Sequence, residues 1–539
     1  MATPDSDQEE FQQAMDALGT LISGKVRGDG KTWKDAFEYM QVYLERLDLD
    51  KRLGELNVIH VAGTKGKGST CAMVDSILRS CGYKTGLFTS PHLWDVRERI
   101  QLDGRPVSRE IFLREFWKCY KRLEDQADDM VGKAAYFRFL TLLGLQTFLA
   151  VGVDAAILEV GLGGRLDATN VVRAPFACGI TPLGFDHMAV LGHTLPEIAG
   201  EKAGILKPGC PAFTVPQPDD AMAVIEAKAK SVGAPLTVVP SLEEYEGGAD
   251  LELGLAGVHQ RSNAALAICL AAAWEAERAR QLRGSGAVDA VVQAEAAERR
   301  AQSVAGRKVP HEYREGLRAC HWPGRAQLVE VPDEDIGGAV KGAVGSSKAP
   351  SRLSFYLDGA HTEESMATCA TWFADAVGTP GQGHAAATNG APFETQRVLL
   401  FNCMQEREPA RLLKPLSEVL RARGVPMHQA LFVPADSSYS SLGPRSGAPD
   451  LSWQHNMQRA WELENPLPPR PQEVLHHLPT LAQFGAQGAQ KSVVVPSIST
   501  ALDWLRKCVR EKPNVRVQVL VTGSLYLVGD VLKHLSKYL

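Results

Sequence analysis

The sequence lacks the marks of several protein classes. Its ten cysteines include no C-x-x-C pair, so neither a zinc site of that spacing nor a dithiol redox motif is written in it, and reduced thiols are expected. Charge of one sign is missing too: 58 Lys and Arg stand against 63 Asp and Glu, a net charge of -5. That balance offers no global field to nucleic acid or an anionic membrane, so a small-molecule substrate is expected and nucleic acid is not. No charge-free apolar run reaches membrane-spanning length, which excludes a predicted membrane span. The first residues, with Asp5, Asp7, Glu9 and Glu10, are unlike an Arg-rich, acid-poor transit peptide. A cytoplasmic monomer is therefore expected, with a mitochondrial isoform from another start codon left open.

The chain that remains has an ordinary globular composition, 45% hydrophobic and 22% charged. At 539 residues it exceeds what one core serves, and two domains are expected, 1–320 and 321–539. From Asn57 to about Val215, strand-like and helix-like segments alternate: NVIHVAG, STCAMVDSILRSCG, KTGLFTS, FRFLTLLGLQTFLAVG, DAAILEVG and FACGITP. This alternation predicts a parallel sheet covered by helices, completed by a helix near Pro218 to Gly233, the strand LTVVP and an Ala-rich helix from Gln260 to Arg280. A second run from Trp322 (QLVEV, SFYLDG, RVLLFNC, ALFVPA, VRVQVLVTG with helices between) predicts a smaller, Rossmann-like α/β domain. Gln281 to Ala305 shows no obvious apolar stripe and reads as a solvated helix or an insertion. Gly337 to Ser351, Gly378 to Gln396 and roughly Asp436 to Gln472 read as surface insertions unable to bury a core.

Chemistry enters after the strand NVIHVA, where Gly63-Thr64-Lys65-Gly66-Lys67-Gly68-Ser69-Thr70 opens a helix. Glycines let backbone N–H groups converge on phosphate oxygens, the helix N-terminus adds partial positive charge, and Lys67 supplies a mobile ammonium. The expected occupant is a nucleoside triphosphate. The loop departs from G-x-x-x-x-G-K-[ST] because Gly68 follows Lys67 and has no hydroxyl to hold Mg2+. Another oxygen is needed, with Ser69 or Thr70 close by. Ser90 in LFTSPHL, at the next strand's end, is a candidate, although from spacing alone a plain turn residue before Pro91 is the better reading.

Other strand ends add polar groups. Glu159 closes the strand AILE before a glycine-rich turn, suiting a hard cation or a pairing with a nearby base. Past the following strand comes Gly184-Phe185-Asp186-His187, with His187 either a ligand or a structural histidine. Lys202 lies on a helix opened by the capping-box spacing of Thr194 and Glu197, and composition alone reads it as a surface lysine.

Seven segments, HVAGTKGKGS, LFTSPHL, RERIQLDG, EVGLGGRLDATN, DHMAVLGHTLPEIAGEKAGI, WPGRAQ and LDGAHT, occur in this order. Together they resemble the folylpolyglutamate synthases of the Mur ligase superfamily, over most of residues 30 to 375. Lys65 resembles the eukaryotic branch, since bifunctional bacterial relatives tend to have Asn there. The resemblance implies an α/β fold with a P-loop-containing parallel-sheet ATPase domain followed by the smaller Rossmann-like domain. It implies an ATP-dependent ligase that adds L-glutamate to the γ-carboxylate of a reduced folate through an acyl phosphate.

It further implies ATP as substrate on Gly66, Lys67, Gly68 and Ser69, with Asn263 near the adenine, Arg325 and Asp358 at the nucleotide, and His361 beside them. Mg2+ would lie on Ser90, Glu159 and His187, with a monovalent cation left open. Lys67, His187 and Lys202 would be catalytic, Lys202 matching the family's carbamylated lysine. Folate is expected near the loop Pro91 to Arg99, and no residue is assigned to incoming glutamate. A dihydrofolate synthase or a bifunctional enzyme is the nearest alternative, and a P-loop nucleotide switch a distant one.

Overall fold

The computed structural model describes residues 4–22, 33–128, 130–285, 288–336, 351–378, 393–436, 450–465, 492–512 and 514–539. The chain divides into two compact units, Met1–His321 and Trp322–Leu539.

The first unit is built on an eight-stranded sheet of order β4-β3-β2-β5-β1-β6-β7-β8. Its strands are β1 (Val58–Ala62), β2 (Thr85–Phe88), β3 (Ile100–Leu102), β4 (Arg105–Pro106), β5 (Ala155–Glu159), β6 (Ala177–Ile180), β7 (Ala212–Thr214) and β8 (Leu236–Val238). Every residue of β1 and β5 is buried, as expected of central parallel strands covered on both faces. Only β3 runs against the other strands, pairing antiparallel with β2 and with edge strand β4. One core gathers residues from α1 (Pro4–Gly19), α2 (Trp33–Arg46), α4 (Arg109–Asp125) and α5 (Tyr136–Val151). There Phe112, Phe116, Phe139 and Phe148 are buried, each ring contributing about 2–3 kcal/mol. A second core joins α7 (Leu195–Lys202) and α8 (Asp219–Val232) to β6 and β7, while α3 (Lys67–Ser80) follows β1 and α6 (Met188–Leu191) precedes α7.

The Ala-rich helix is longer than its sequence suggested: α9 runs His259–Ser285. Beyond it, α10 (Val288–Ala305) corrects the reading of Gln281 to Ala305 as lacking an apolar face. Its face is made of alanines: Ala294 and Ala297 pack against Ala279. Deeper on α9, Glu275 is fully buried and accepts hydrogen bonds from Tyr83 Oη (3.0 Å), Tyr313 Oη (2.9 Å) and Arg300 Nε (3.0 Å). Tyr313 belongs to α11 (His311–Ala319), so four segments meet on one satisfied carboxylate.

The second unit carries a six-stranded sheet of order β13-β12-β11-β14-β10-β9. Strands β9 (Gln327–Val331), β10 (Leu353–Leu357), β11 (Glu394–Phe401), β12 (Gln429–Phe432), β13 (Ser492–Val494) and β14 (Val515–Thr522) are parallel except edge strand β9. The short α12 (Asp333–Ile336) follows β9. Helices α13 (Glu363–Gly378), α14 (Pro409–Ala422) and α15 (Ser452–Glu464) share a core with the sheet, and α16 (Ile498–Glu511) and α17 (Leu525–Leu535) pack on β14.

Of the stretches read as insertions, residues 337–350, 379–392, 437–449 and 466–472 lie outside the described residues. The described parts correct the reading twice. Glu394 to Gln396 begin β11, and α15 buries Gln454, Met457 and Trp461 in the core. The fold is the mixed α/β architecture expected, with a larger parallel sheet followed by a smaller one.

Candidate functional site

Four neighbouring strands of the first unit, β2, β5, β1 and β6, end at one level. Phe88 pairs with Leu158, Val61 with Glu159, and Ala62 with Ile180. Glu159 closes β5, and the segments that leave the other three ends carry Gly66 to Ser69, Ser90 and His187, at the carboxyl edge where open α/β sheets bind ligands, while Lys202 lies on α7 and Asn263 on α9.

Leaving β1, the loop turns at Gly66, whose φ of 81° lies in the left-handed region. A Cβ there would stand 2.3 Å from Asn263 Oδ1, so only glycine permits the loop to sit against α9. Asn263 in turn donates to Gln260 Oε1 (2.8 Å), and Gln260 lies beside Ser69. Lys67 opens α3, donates to Thr64 O (3.3 Å) and is partly buried, with no acidic residue in the helix's first turn. Gly68 and Ser69 follow within that turn, Ser69 being buried. A free helix N-terminus, a left-handed glycine and an ammonium form a cradle suited to phosphate.

At the ends of β2 and β5, the Ser90 N–H donates to Glu159 Oε2 (3.0 Å), so the structure brings these two together. Glu159 is only 5% exposed. A carboxylate next to a serine is a residue pair that suits a hard cation. His187 lies beyond β6 in left-handed conformation (φ 51°, ψ 36°), a strain costing on the order of 1 kcal/mol. Its side chain is half exposed, with Nε2 3.7 Å from Asp186 Oδ2. Among the described residues no three His, Cys, Asp or Glu side chains form a metal-sized group, and a Ser, Glu and His set contains only two of those types.

Lys202 contradicts the surface reading. It is 4% exposed, and its Nζ donates to Gly63 O at 2.8 Å. Burial, and then the charge of Lys67, pull its pKa down to about 7, with Asp186 and Asp167 opposing. The amine is thus unusually ready to be neutral at the foot of the phosphate loop.

Residues that sequence reasoning passed over support this arrangement. Asp167 binds the turn after Glu159: Oδ2 accepts the Leu162 N–H (2.9 Å), and Oδ1 accepts the Thr169 N–H (2.9 Å) and hydroxyl (2.6 Å). Thr64 joins the phosphate loop to residues 182–184, and Asp186 holds the His187 N–H at 2.9 Å. Their only sequence signal was membership of the quoted segments.

In the second unit Asp358 follows β10. Its Oδ2 accepts the Ala326 N–H (2.9 Å), and its Oδ1 accepts the Ala360 N–H (3.0 Å). The carboxylate thereby fixes the turn that carries Arg325, whose Nη1 donates to Gly324 O at 3.3 Å. His361 Nδ1 lies 2.8 Å from Gly359 O, and since a carbonyl only accepts, Nδ1 carries the proton.

No family model matches the chain. A folylpolyglutamate synthase of Arabidopsis thaliana is 41% identical over 566 residues, covering 98% of this chain and 87% of that protein. The mitochondrial folylpolyglutamate synthase of Homo sapiens is 37% identical, covering 99% of this chain and 93% of that protein. The bifunctional folylpolyglutamate synthase/dihydrofolate synthase of Yersinia pestis, a crystal structure with AMPPNP and a Mn ion, shares the fold at a TM-score of 0.62 and 21% identity, covering 97% and 98% of the two chains. With relatives of that identity along nearly its whole length, and with the strand-end site in place, this chain belongs to the folylpolyglutamate synthase family.

Proposed function

We propose that this chain joins L-glutamate to the γ-carboxylate of a reduced folate, with ATP as phosphoryl donor. One observation carries the reading: the phosphate loop, the Ser90–Glu159 pair and the Lys202 amine on Gly63 O stand at the tips of adjoining strands. The named activity of the relatives points the same way.

A carboxylate is a poor acyl donor, because resonance stabilises it and its leaving group would be oxide. Attack of a γ-carboxylate oxygen on the γ-phosphorus of ATP, with cleavage of the bond to ADP, yields an acyl phosphate. The amine of glutamate then attacks the activated carbonyl, phosphate departs, and the nitrogen loses a proton to give the amide. Lys67 steadies the charge of the transferring phosphoryl group, and the N–H groups of Gly66 to Ser69 orient the triphosphate. Ser90, Glu159 and His187 would hold Mg2+, which neutralises phosphoryl oxygens when bound. Asn263 is assigned to the adenine side of the loop it touches, and Arg325, Asp358 and His361 to nucleotide contacts.

Carbamylation of Lys202 requires a neutral amine: nitrogen attacks CO2, one proton leaves, and a carboxylate results. A buried lysine with its pKa near neutrality supplies that form. We place the protein in the cytoplasm, a reading supported by its free, unbridged thiols, and propose a monomer, with a mitochondrial isoform left open by the human relative's name.

ADP release on adding tetrahydrofolate and glutamate together, above the rate with either alone, is the expected result. Turnover independent of folate would overturn the ligase and favour a nucleotide switch. The bifunctional Yersinia pestis neighbour motivates a second arm with dihydropteroate, where ADP release would assign dihydrofolate synthase activity as well. Replacing alkali-metal salts by tetramethylammonium in the same assay tests for a monovalent cation.

Ser90→Ala is expected to raise the half-saturating Mg2+ concentration about tenfold, by removing one ligand oxygen while keeping the N–H that Glu159 accepts. An unchanged Mg2+ titration would reduce Ser90 to a turn residue.

A further inference from the structure

Thr64 lies inside the phosphate loop, yet its hydrogen bonds run to a different loop. Its N–H and that of Lys65 both donate to Pro182 O, at 3.1 and 3.2 Å. Its hydroxyl donates to Gly184 O (3.1 Å) and accepts the Gly184 N–H (3.2 Å). A single side chain therefore engages both backbone polar groups of a residue 120 positions away.

That residue is a sensitive place to hold. Gly184 stands two residues before Asp186, whose Oδ1 accepts the His187 N–H at 2.9 Å, and three before His187 itself. The base of the same segment is anchored independently. Gln217 Oε1 accepts the Leu183 N–H (3.0 Å), and Gln217 Nε2 donates to Thr181 O (3.1 Å) and Thr214 Oγ1 (3.1 Å). Thr181 N–H also donates to Ala62 O at 2.9 Å. Removing the Thr64 hydroxyl thus leaves the root of the turn tied to β1 and β7 and releases only the stretch that presents His187.

Resting on the nucleotide and metal reading given above, we propose that Thr64 is a positioning residue whose hydroxyl, through Gly184, couples nucleotide in the phosphate loop to metal affinity at the Asp186–His187 turn. When phosphate orders the loop, the hydroxyl carries that order to the turn. Nucleotide and metal then strengthen each other's binding, and the effect is reciprocal by linkage.

Thr64→Val keeps the shape and deletes the hydroxyl, and Thr64→Ser keeps the hydroxyl. Calorimetric ADP binding is measured on the full-length protein with EDTA and then with saturating Mg2+, beside the Mg2+ dependence of ADP release in the folate assay. For Thr64→Val, metal-free ADP affinity stays within about twofold of wild type, while the tightening of ADP by Mg2+ shrinks about tenfold. The half-saturating Mg2+ rises correspondingly. Thr64→Ser behaves as wild type.

The proposal is overturned if Thr64→Val weakens metal-free ADP binding as much as Mg2+-dependent binding, which marks a loop support, or if Mg2+ dependence is unmoved. A Thr64→Ser protein with an impaired Mg2+ response overturns it equally, and keeps the test open should the valine variant not fold. Wild-type protein that binds no ADP under either condition overturns the nucleotide reading itself.

Discussion

Lys67→Ala is expected to fold normally and to lose about a thousandfold in kcat/KM for ligation, the scale of removing one charge-stabilising donor from a transition state. Lys67 is partly buried, and its side chain's hydrogen bond is a long one, 3.3 Å to a carbonyl of its own loop. Alanine is a better helix former at the opening of α3, so stability should change by no more than about 0.5 kcal/mol. The lost ammonium matters only once a γ-phosphoryl group is in transit. Thermal melting together with ADP release separates the two effects, and a folded variant that ligates at a near-normal rate would remove Lys67 from the mechanism. Lys67→Arg should recover part of the activity, since it restores charge in a wider, planar shape.

Lys202→Met is expected to lower ligation about a hundredfold and to change how stability responds to pH. The wild-type amine has its folded pKa near 7, below the ordinary 10.5, chiefly because it is buried. Between these values the unfolded chain holds the proton that the folded chain has released. Wild-type stability should therefore rise with pH from about 7 toward 10.5, with the full penalty of the buried charge present below 7 and none above 10.5. Methionine fills similar space without titrating, so this slope should vanish in urea midpoints compared across the window. With 13C-labelled bicarbonate, a carbamate resonance should be seen in wild type and be missing from the variant. Equal slopes and equal activities in the two proteins would show that Lys202 is a packing residue.

The strand, glycine turn and helix around Gly63 to Thr70 were legible because their signal is local: glycine spacing, one lysine and the strand before it suffice. Strand-end positions of Ser90, Glu159 and His187 were legible for a similar reason, since the alternation of elements fixes which edge they leave. The capping box of Thr194 and Glu197 forms as its spacing required. Lys202 was hidden by composition, although a signal existed: it lies one turn after Ile198, and the two share the buried face of α7. Likewise α15 was lost in a polar, Pro- and Gly-rich stretch, while Gln454, Met457 and Trp461 already stood at helical spacing. The Thr64–Gly184 bonds had no such trace, because a contact across 120 residues depends on which strands become neighbours.

Glu275 has a consequence for how the first unit comes apart. A phenol from each of two segments and a guanidinium from a third all end on its carboxylate, so losing the Arg300 segment strands a buried charge and losing either phenol costs a buried hydrogen bond. The same helix, twelve residues earlier, presses Asn263 against the loop glycine. The wall behind the proposed phosphate loop is consequently part of the same helix that anchors the buried Glu275 cluster.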